Sequence, residues 1–218
     1  MSILNSTVGR KILMSLTGQL LIIFILIHLI GNSTIFFGAL NAYAEHLHSL
    51  PPLVWIFRLV MLAAIGVHIV YGVQVTLENK AANPGAYAVN RPLKRSFASE
   101  NMIWTGLLIL AFILYHLAQF TLHLTPDVAA AASAPVIDVY RMVVTSLSNA
   151  AIAVVYALAM VMLFLHLSHG IPSFLQTMGW NNDKTIPVYG TAGKVISAFL
   201  MLAYISIPAT ILVGLLKL

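Results

Sequence analysis

Long apolar stretches alternate with short polar segments along almost the whole chain. A helix needs about 20 predominantly apolar residues to cross the roughly 30 Å hydrocarbon core of a bilayer. Stretches of that length occur near residues 12–37, 54–78, 101–124, 139–168 and 192–216. The pattern therefore predicts an all-α, polytopic membrane protein with five transmembrane helices, in which residues 1–218 form a single domain.

The composition agrees with a location in a bilayer. Of the 218 residues, 60% are hydrophobic and 8% are charged, whereas about a quarter of the residues in a soluble domain are charged. Basic loops on one membrane face account for the net charge of +5, which therefore does not indicate nucleic-acid binding. Because the chain has no Cys, disulfides, thiolate-bound iron–sulfur clusters and c-type haem attachment are excluded.

The distribution of Lys and Arg predicts the orientation of the spans. Most basic residues lie before span one, between spans two and three, or between spans four and five: Arg10, Lys11, Lys80, Arg91, Lys94, Arg95, Lys184 and Lys194. Since cytoplasmic loops are enriched in Lys and Arg, we expect segments 79–99 and 169–190 inside and segment 125–138 outside a bacterial cytoplasmic membrane. The N-terminus is then cytoplasmic. The apolar run after Lys11 is too long for the core of a cleaved signal peptide, so span one is expected to be retained.

One histidine lies deep in each of the first four spans, where ionisable side chains are rare and usually functional. At a rise of about 1.5 Å per residue, His28 and His116 lie roughly 22–24 Å from the cytoplasmic ends of their spans. By the same count, His68 lies roughly 15 Å and His166 roughly 5 Å from those ends. The histidines therefore form an outer pair on spans one and three and an inner pair on spans two and four.

Two layers of two histidines favour two haems with paired axial imidazoles. Helices one and three, and helices two and four, are diagonal in a bundle of antiparallel neighbours, so a flat macrocycle fits between them. Small residues close to the histidines leave room for it: Ala64, Gly72, Gly31 and Gly170. A zinc site would need three or four converging ligands. Span five has no His, so we expect a four-helix haem-binding bundle with a peripheral fifth helix. A proton relay, polar packing of the histidines and close helix packing at the glycines are the alternatives.

At these residues the chain resembles the five-helix, dihaem cytochrome b anchor subunit of succinate dehydrogenases and fumarate reductases. The resemblance covers essentially the whole length. It is carried by Ser15-Leu16-Thr17-Gly18, His28-Leu29-Ile30-Gly31-Asn32, His68 with Tyr71-Gly72, Tyr115-His116, and His166-Leu167-Ser168-His169-Gly170 leading to Gly179-Trp180.

The resemblance implies that the axial ligands of haem iron are the same four intramembrane histidines: His28, His68, His116 and His166. In span four, the spacing to Gly179 favours His166 over His169, which we interpret as an inner-surface residue. The resemblance further implies menaquinone as the lipid substrate and two cytoplasmic partners, a flavoprotein subunit with covalent FAD and an iron–sulfur subunit. The sequence leaves open whether the whole complex forms a dimer. Dicarboxylate chemistry would occur in another subunit, because this chain has neither a Gly-rich nucleotide loop nor Cys.

Further residues are candidates for roles around the haems and the quinone. Arg141 is placed to bind propionates of the outer haem, or it anchors the helix at the interface. Ser15 and Thr17 are candidates for the inner propionates, or they bond to their own helix. Oxidation of quinol near the outer haem releases protons, and Glu45, near His46, His48 and His123, is the candidate acceptor. Aromatic side chains in the spans are candidates for porphyrin contacts or ordinary packing: Phe24, Phe112 and Phe120.

The function expected from these observations is a membrane anchor that relays electrons between a quinone and the iron–sulfur subunit of a succinate:quinone oxidoreductase or quinol:fumarate reductase. It would thus be the quinone-reactive subunit of an enzyme. A dihaem anchor of a formate dehydrogenase or hydrogenase is the nearest alternative, although its partner would lie on the outer face. A proton-coupled transporter is the alternative from another class, but no acidic residue lies deep in a span.

Overall fold

The computed structural model describes residues 6–82, 96–133 and 138–218, which are almost entirely helical and include no strand. The α-helices are α1 (Thr7–Ser33), α2 (Leu40–His48), α3 (Pro51–Ala81), α4 (Phe97–Glu100), α5 (Met102–Phe120), α6 (Pro126–Ala132), α7 (Val139–Leu147), α8 (Ala150–Thr177) and α9 (Thr185–Leu212). A 3₁₀ turn at Thr34–Phe37 continues α1.

The described part of the chain has five helical segments that are long and apolar enough to cross a membrane. They are Thr7–Phe37, Pro51–Ala81, Met102–Phe120, Ala150–Thr177 and Thr185–Leu212. Large apolar side chains are exposed along their surfaces, as at Leu62 on α3 and Leu114 on α5, which suits contact with lipid. The prediction of an all-α, multi-pass membrane protein with five spans is confirmed.

The boundaries predicted for span four, 139–168, are wrong. Residues Val139–Leu147 form the separate helix α7, whose buried side chains pack at one end of the bundle. The side chain of Asn149 then caps a new helix by accepting a hydrogen bond from the Ala151 amide at 3.0 Å. That helix, α8, continues past Pro172 to Thr177. Apolar periodicity alone does not reveal the break, because both helices are rich in apolar residues.

Four of the long helices form a closed bundle in chain order. Helix α1 packs on α3, α3 contacts α5, α5 packs on α8, and α8 returns to α1. Helices α1 and α5 therefore lie diagonally across the bundle, as do α3 and α8. We call the end with Thr7, Ala81, Met102 and Thr177 the N-terminal end. At that end, Arg10 and Glu78 form an ion pair of 2.7 Å between α1 and α3.

Helix α9 lies outside the four-helix bundle and packs along α8, with smaller contacts to α1 and α7. Leu200 of α9 is fully buried against Leu163 and Leu167 of α8. Gly193 faces Pro172, where a side chain would have no room. The peripheral position of the fifth span agrees with the prediction.

Short helices α2, α6 and α7 cover the end of the bundle opposite the N-terminal end. Asn41 joins two of them, since its side chain donates to the Asp138 carboxylate at 2.9 Å and accepts from the Tyr140 amide at 2.8 Å. Part of the predicted basic loop, residues 83–95 with Arg91, Lys94 and Arg95, lies outside the described residues. So do residues 134–137 of the predicted outer loop.

Candidate functional site

Four histidines meet in two pairs across the axis of the four-helix bundle. The ring centroids of His28 in α1 and His116 in α5 are 5.9 Å apart, and the angle between the ring planes is 87°. The centroids of His68 in α3 and His166 in α8 are 6.2 Å apart, with an angle of 69°. The structure therefore brings together the same two pairs that the depth along each span predicts.

Both centroid separations are close to the value expected for two imidazoles bound to one metal ion. Metal–nitrogen bonds to His are about 2.0–2.1 Å long, and the ring centre lies roughly 1.1 Å behind the nitrogen, so opposed ligands have centroids about 6.2 Å apart. Edge-to-face aromatic pairs have centroids at about 4.5–7 Å as well. Because centroid distance alone does not distinguish a metal site from an aromatic pair, the hydrogen bonds of the rings are used as a second, independent criterion.

In the inner pair, each ring uses Nδ1 for a hydrogen bond to the protein. His68 Nδ1 lies 2.9 Å from the Met14 carbonyl oxygen, which can only accept, so Nδ1 carries the proton. His166 Nδ1 lies 3.2 Å from the hydroxyl of Thr105. Because that hydroxyl donates to backbone carbonyls of its own helix, the His166 Nδ1 proton is donated to its oxygen. Both Nε2 atoms are left with a free lone pair, as in most metal-bound histidines.

The inner histidines also lie at comparable heights in the bundle. His68 is 13 residues before the end of α3 at Ala81, and His166 is 11 residues before the end of α8 at Thr177. These positions correspond to about 20 Å and 16 Å of helix. The depth of roughly 5 Å expected for His166 is wrong, because span four ends nine residues later than the predicted 168. His169, which the sequence suggests is an inner-surface residue, is half-buried in α8, eight residues before the end of that helix.

Glycines lie directly beneath the inner imidazoles. A Cβ added to Gly18 of α1 would be 3.0 Å from His68 Cε1 and 3.2 Å from its Nδ1. A Cβ added to Gly106 of α5 would be 3.3 Å from His166 Cε1. Two of the small residues expected to leave room near the histidines have other neighbours, since Gly31 packs against Tyr43 and Gly72 lies near Met14; a Cβ added to Gly170 would meet no atom within 4 Å.

In the outer pair, His116 belongs to a polar network that reaches the end of the bundle. His116 Nδ1 lies 3.1 Å from the Tyr156 hydroxyl, which donates to Gln119 Oε1 at 2.5 Å. The Gln119 amide nitrogen donates to the Asp127 carboxylate at 2.6 Å and also contacts the Ser146 hydroxyl. Ser146 in turn donates to Asp127. Gln119 and Ser146 are completely buried.

Sequence reasoning missed this network. One signal was present, because Gln119 is a polar residue three positions after His116 and therefore on the same face of α5. Partial burial of Asp127 favours its protonated form, but the hydrogen bonds that Ser146 and Gln119 donate to the carboxylate outweigh this and lower its pKa. Asp127 is therefore ionised at neutral pH.

Aromatic side chains surround the outer pair. The ring of Phe24 is centred 5.3 Å from that of His28. Phe112 and Phe120 lie 5.8 Å and 5.5 Å from His116 on either side of it along α5. The three phenylalanines singled out in the sequence therefore all lie at the outer histidines, where they keep the site apolar.

Among the described residues, the remaining candidates form no hydrogen bond, ion pair or ring contact with either histidine pair. Glu45 is exposed on α2, close in sequence to His46 and His48. The Arg141 side chain is exposed on α7, and its amide donates to Asp138. Ser15 is buried in α1, and the Thr17 hydroxyl donates to carbonyls of its own helix, which was the alternative for this residue. His123 follows α5 in a left-handed backbone conformation.

Comparisons with protein-family models, with curated proteins and with solved structures found no match to this chain. Within residues 6–82, 96–133 and 138–218, no three or more His, Cys, Asp or Glu side chains come close enough together to hold a metal ion. In the same described residues, each histidine pair brings two imidazoles together.

Proposed function

We propose that the chain is a dihaem cytochrome b membrane anchor, with His28 and His116 ligating an outer haem and His68 and His166 an inner one. The observation that carries the proposal is the pairing of imidazoles across the bundle at 5.9 Å and 6.2 Å. Three of these four rings also hold Nδ1 in a hydrogen bond to the protein, as expected of axial ligands.

Haem would account for a site with two protein ligands, the number found at each pair among the described residues. A zinc site built from protein takes three or four ligands in a tetrahedron, whereas the macrocycle supplies four in-plane nitrogens to iron and leaves two axial positions. Diagonal helices are the suitable donors, because they face each other across the axis of the bundle. When bound, haem would supply one-electron transfer. The chain's own role is to orient the imidazoles, fix their protonation and exclude water from the site.

Two redox sites at different heights suit electron transfer between the ends of the bundle. We propose that menaquinone reacts near the outer pair, where Glu45 accepts protons. The iron–sulfur and flavoprotein subunits would dock at the N-terminal end, which carries exposed Lys80 and Lys184; Lys194, predicted in the same loop, lies within α9. On the positive-inside rule this end faces the cytoplasm of a bacterium. The complex would then be a quinol:fumarate reductase or succinate:quinone oxidoreductase, with dicarboxylate chemistry in the flavoprotein.

Single histidine substitutions test this assignment. His28→Ala or His116→Ala should remove the outer haem, and His68→Ala or His166→Ala the inner one, because each removes one axial ligand from one site. Haem content of the purified protein should fall by about half in each case, since the other site keeps both ligands.

His169→Ala is the matched control within the same helix and should retain both haems. Retention of two haems in all four substituted proteins would contradict the proposal. Loss of the inner haem in His169→Ala but not in His166→Ala would transfer the ligand role to His169.

A further inference from the structure

One carboxylate sets the direction of every hydrogen bond in the network that ends at His116. Ionised Asp127 can only accept, so Gln119 presents its amide nitrogen to Asp127 and its carbonyl oxygen to Tyr156. The Tyr156 hydroxyl therefore donates to Gln119, and its oxygen accepts the Nδ1 proton of His116. Nε2 of His116 is left unprotonated and able to bind iron.

We propose that Asp127 is a positioning residue for the outer haem, which acts through Gln119 and Tyr156 to hold His116 as the Nδ1–H tautomer and to lower the reduction potential of that haem. The inference rests on the proposed function, because it concerns the iron that His116 would ligate. It assigns a role to a residue that touches neither the iron nor its ligand.

The physical basis is polarisation along a buried chain of hydrogen bonds. Each bond strengthens the next in a medium of low dielectric constant, and Gln119 is 0% exposed. A negative charge at Asp127 therefore increases the pull of Tyr156 on the Nδ1 proton. The imidazole becomes a better electron donor, as with other histidine ligands that donate to an outer-shell acceptor. Stronger donation favours the oxidised iron, which carries the greater positive charge.

Within the part of the chain that the structure describes, the hydrogen bonds of the inner pair involve no such charge. His68 donates to the neutral Met14 carbonyl, and His166 to the neutral hydroxyl of Thr105. The inner haem therefore serves as an internal control in the same protein, because a change at Asp127 should leave its ligands unaffected.

The test is a spectroscopic redox titration of the full chain with both haems bound. Asp127→Asn keeps the size of the side chain and an oxygen that accepts from Gln119, but it removes the charge. We expect the ratio of reduced to oxidised outer haem at a fixed potential to rise on the order of tenfold, which is about 59 mV for a one-electron couple. The inner haem should be unchanged. Asp138→Asn removes a charge of the same sign at the same end, outside the network, and should have a smaller effect.

Tyr156→Phe distinguishes transmission through the bonds from a direct effect of charge across space. It removes the acceptor of the His116 proton and should itself raise the outer potential. If the network transmits the effect, Asp127→Asn should add little in the Tyr156→Phe background. A shift of the same size in both backgrounds would overturn the inference.

The outcomes also separate this inference from the function on which it rests. Two haems with unchanged potentials in Asp127→Asn would overturn the role of Asp127 and leave the dihaem proposal standing. An unmodified protein that binds no haem would overturn both.

Discussion

The imidazole of His68 packs against α1 at Gly18, which has no side chain. A Cβ at Gly18 would lie 3.0 Å from His68 Cε1 and 3.2 Å from its Nδ1. The hydrogen bond from Nδ1 to the Met14 carbonyl oxygen restrains the ring in this position. Gly18→Ala should therefore displace the ligand and weaken binding of the inner haem on the order of tenfold, as outer-shell changes at metal sites do. Haem titration of the purified protein measures this affinity.

The matched control is Gly66→Ala in α3, where an added Cβ would meet no atom within 4 Å. It should leave both haems in place. Gly106→Ala should have a smaller effect than Gly18→Ala, since the contact with His166 is 3.3 Å. Equal haem affinities in Gly18→Ala and Gly66→Ala would show that the glycine does not position His68.

If Glu45 accepts protons from quinol, its substitution should impair quinol oxidation without affecting the fold. Its side chain is exposed on α2 at the end of the bundle nearer the outer pair, so Glu45→Gln should not disturb folding. We expect slower quinol oxidation, with both haem spectra and dye-linked fumarate reduction intact. Asp183→Asn, an equivalent charge change beyond the end of α8, is the control. Quinol turnover equal to that of the unmodified complex would remove Glu45 from the quinone site.

At the scale of helices, the contact between α8 and α9 depends on Gly193. An added Cβ would lie 2.7 Å from the ring of Pro172 and 3.1 Å from the Ser168 carbonyl oxygen, neither of which moves easily. Gly193→Ala should therefore destabilise the protein by about 1–3 kcal/mol through overpacking. Gly190→Ala lies one turn earlier in open space and should be neutral or slightly stabilising. Thermal unfolding in detergent compares the two, and equal midpoints would contradict this packing.

The histidine pairs could be predicted from the sequence because a constant helical rise converts residue number into depth. His28, His68, His116 and His166 are isolated ionisable residues in apolar helices, so their pairing needed little more than the topology. The start of α8 could not be predicted, because the cap at Asn149 lies between two apolar helices.

The hydrogen-bond network that includes Asp127 also could not be predicted from the sequence pattern. Its members come from α5, α6, α7 and α8, and Asp127 reaches Gln119 only because the chain turns back after α5 and α6 packs on α7. Neither turn nor packing is encoded in helical periodicity. The exposed position of Arg141 depends in the same way on α7 being separate from α8.

At the scale of the whole molecule, the proposed function predicts movement of charge across the membrane. The region between the histidine layers has no Asp, Glu, Lys or Arg in the sequence to compensate the charge with protons. An electron that leaves quinol at the outer end and exits at the N-terminal end crosses part of the membrane potential, worth about 2.3 kcal/mol per 100 mV for a full crossing. Turnover should therefore be electrogenic.

Reconstituted vesicles with the fumarate site exposed outside provide the measurement. Quinol-driven fumarate reduction should generate a potential that a voltage-sensitive dye detects and an uncoupler collapses. A silent dye during confirmed turnover would mean that quinol reacts at the N-terminal end or that protons compensate the electrons. In the first case the quinone site would not lie at the outer end. In the second case a proton relay across the membrane would be required.

The central claim is that each histidine pair holds one haem, and the reduced-minus-oxidised optical spectrum of the purified protein, calibrated against protein concentration, tests it most directly. Two paired-imidazole sites in one chain predict the absorption bands of b-type haem at a stoichiometry of about two per polypeptide. Protein that is folded, purified from haem-replete membranes and free of any b-type signal would contradict the account.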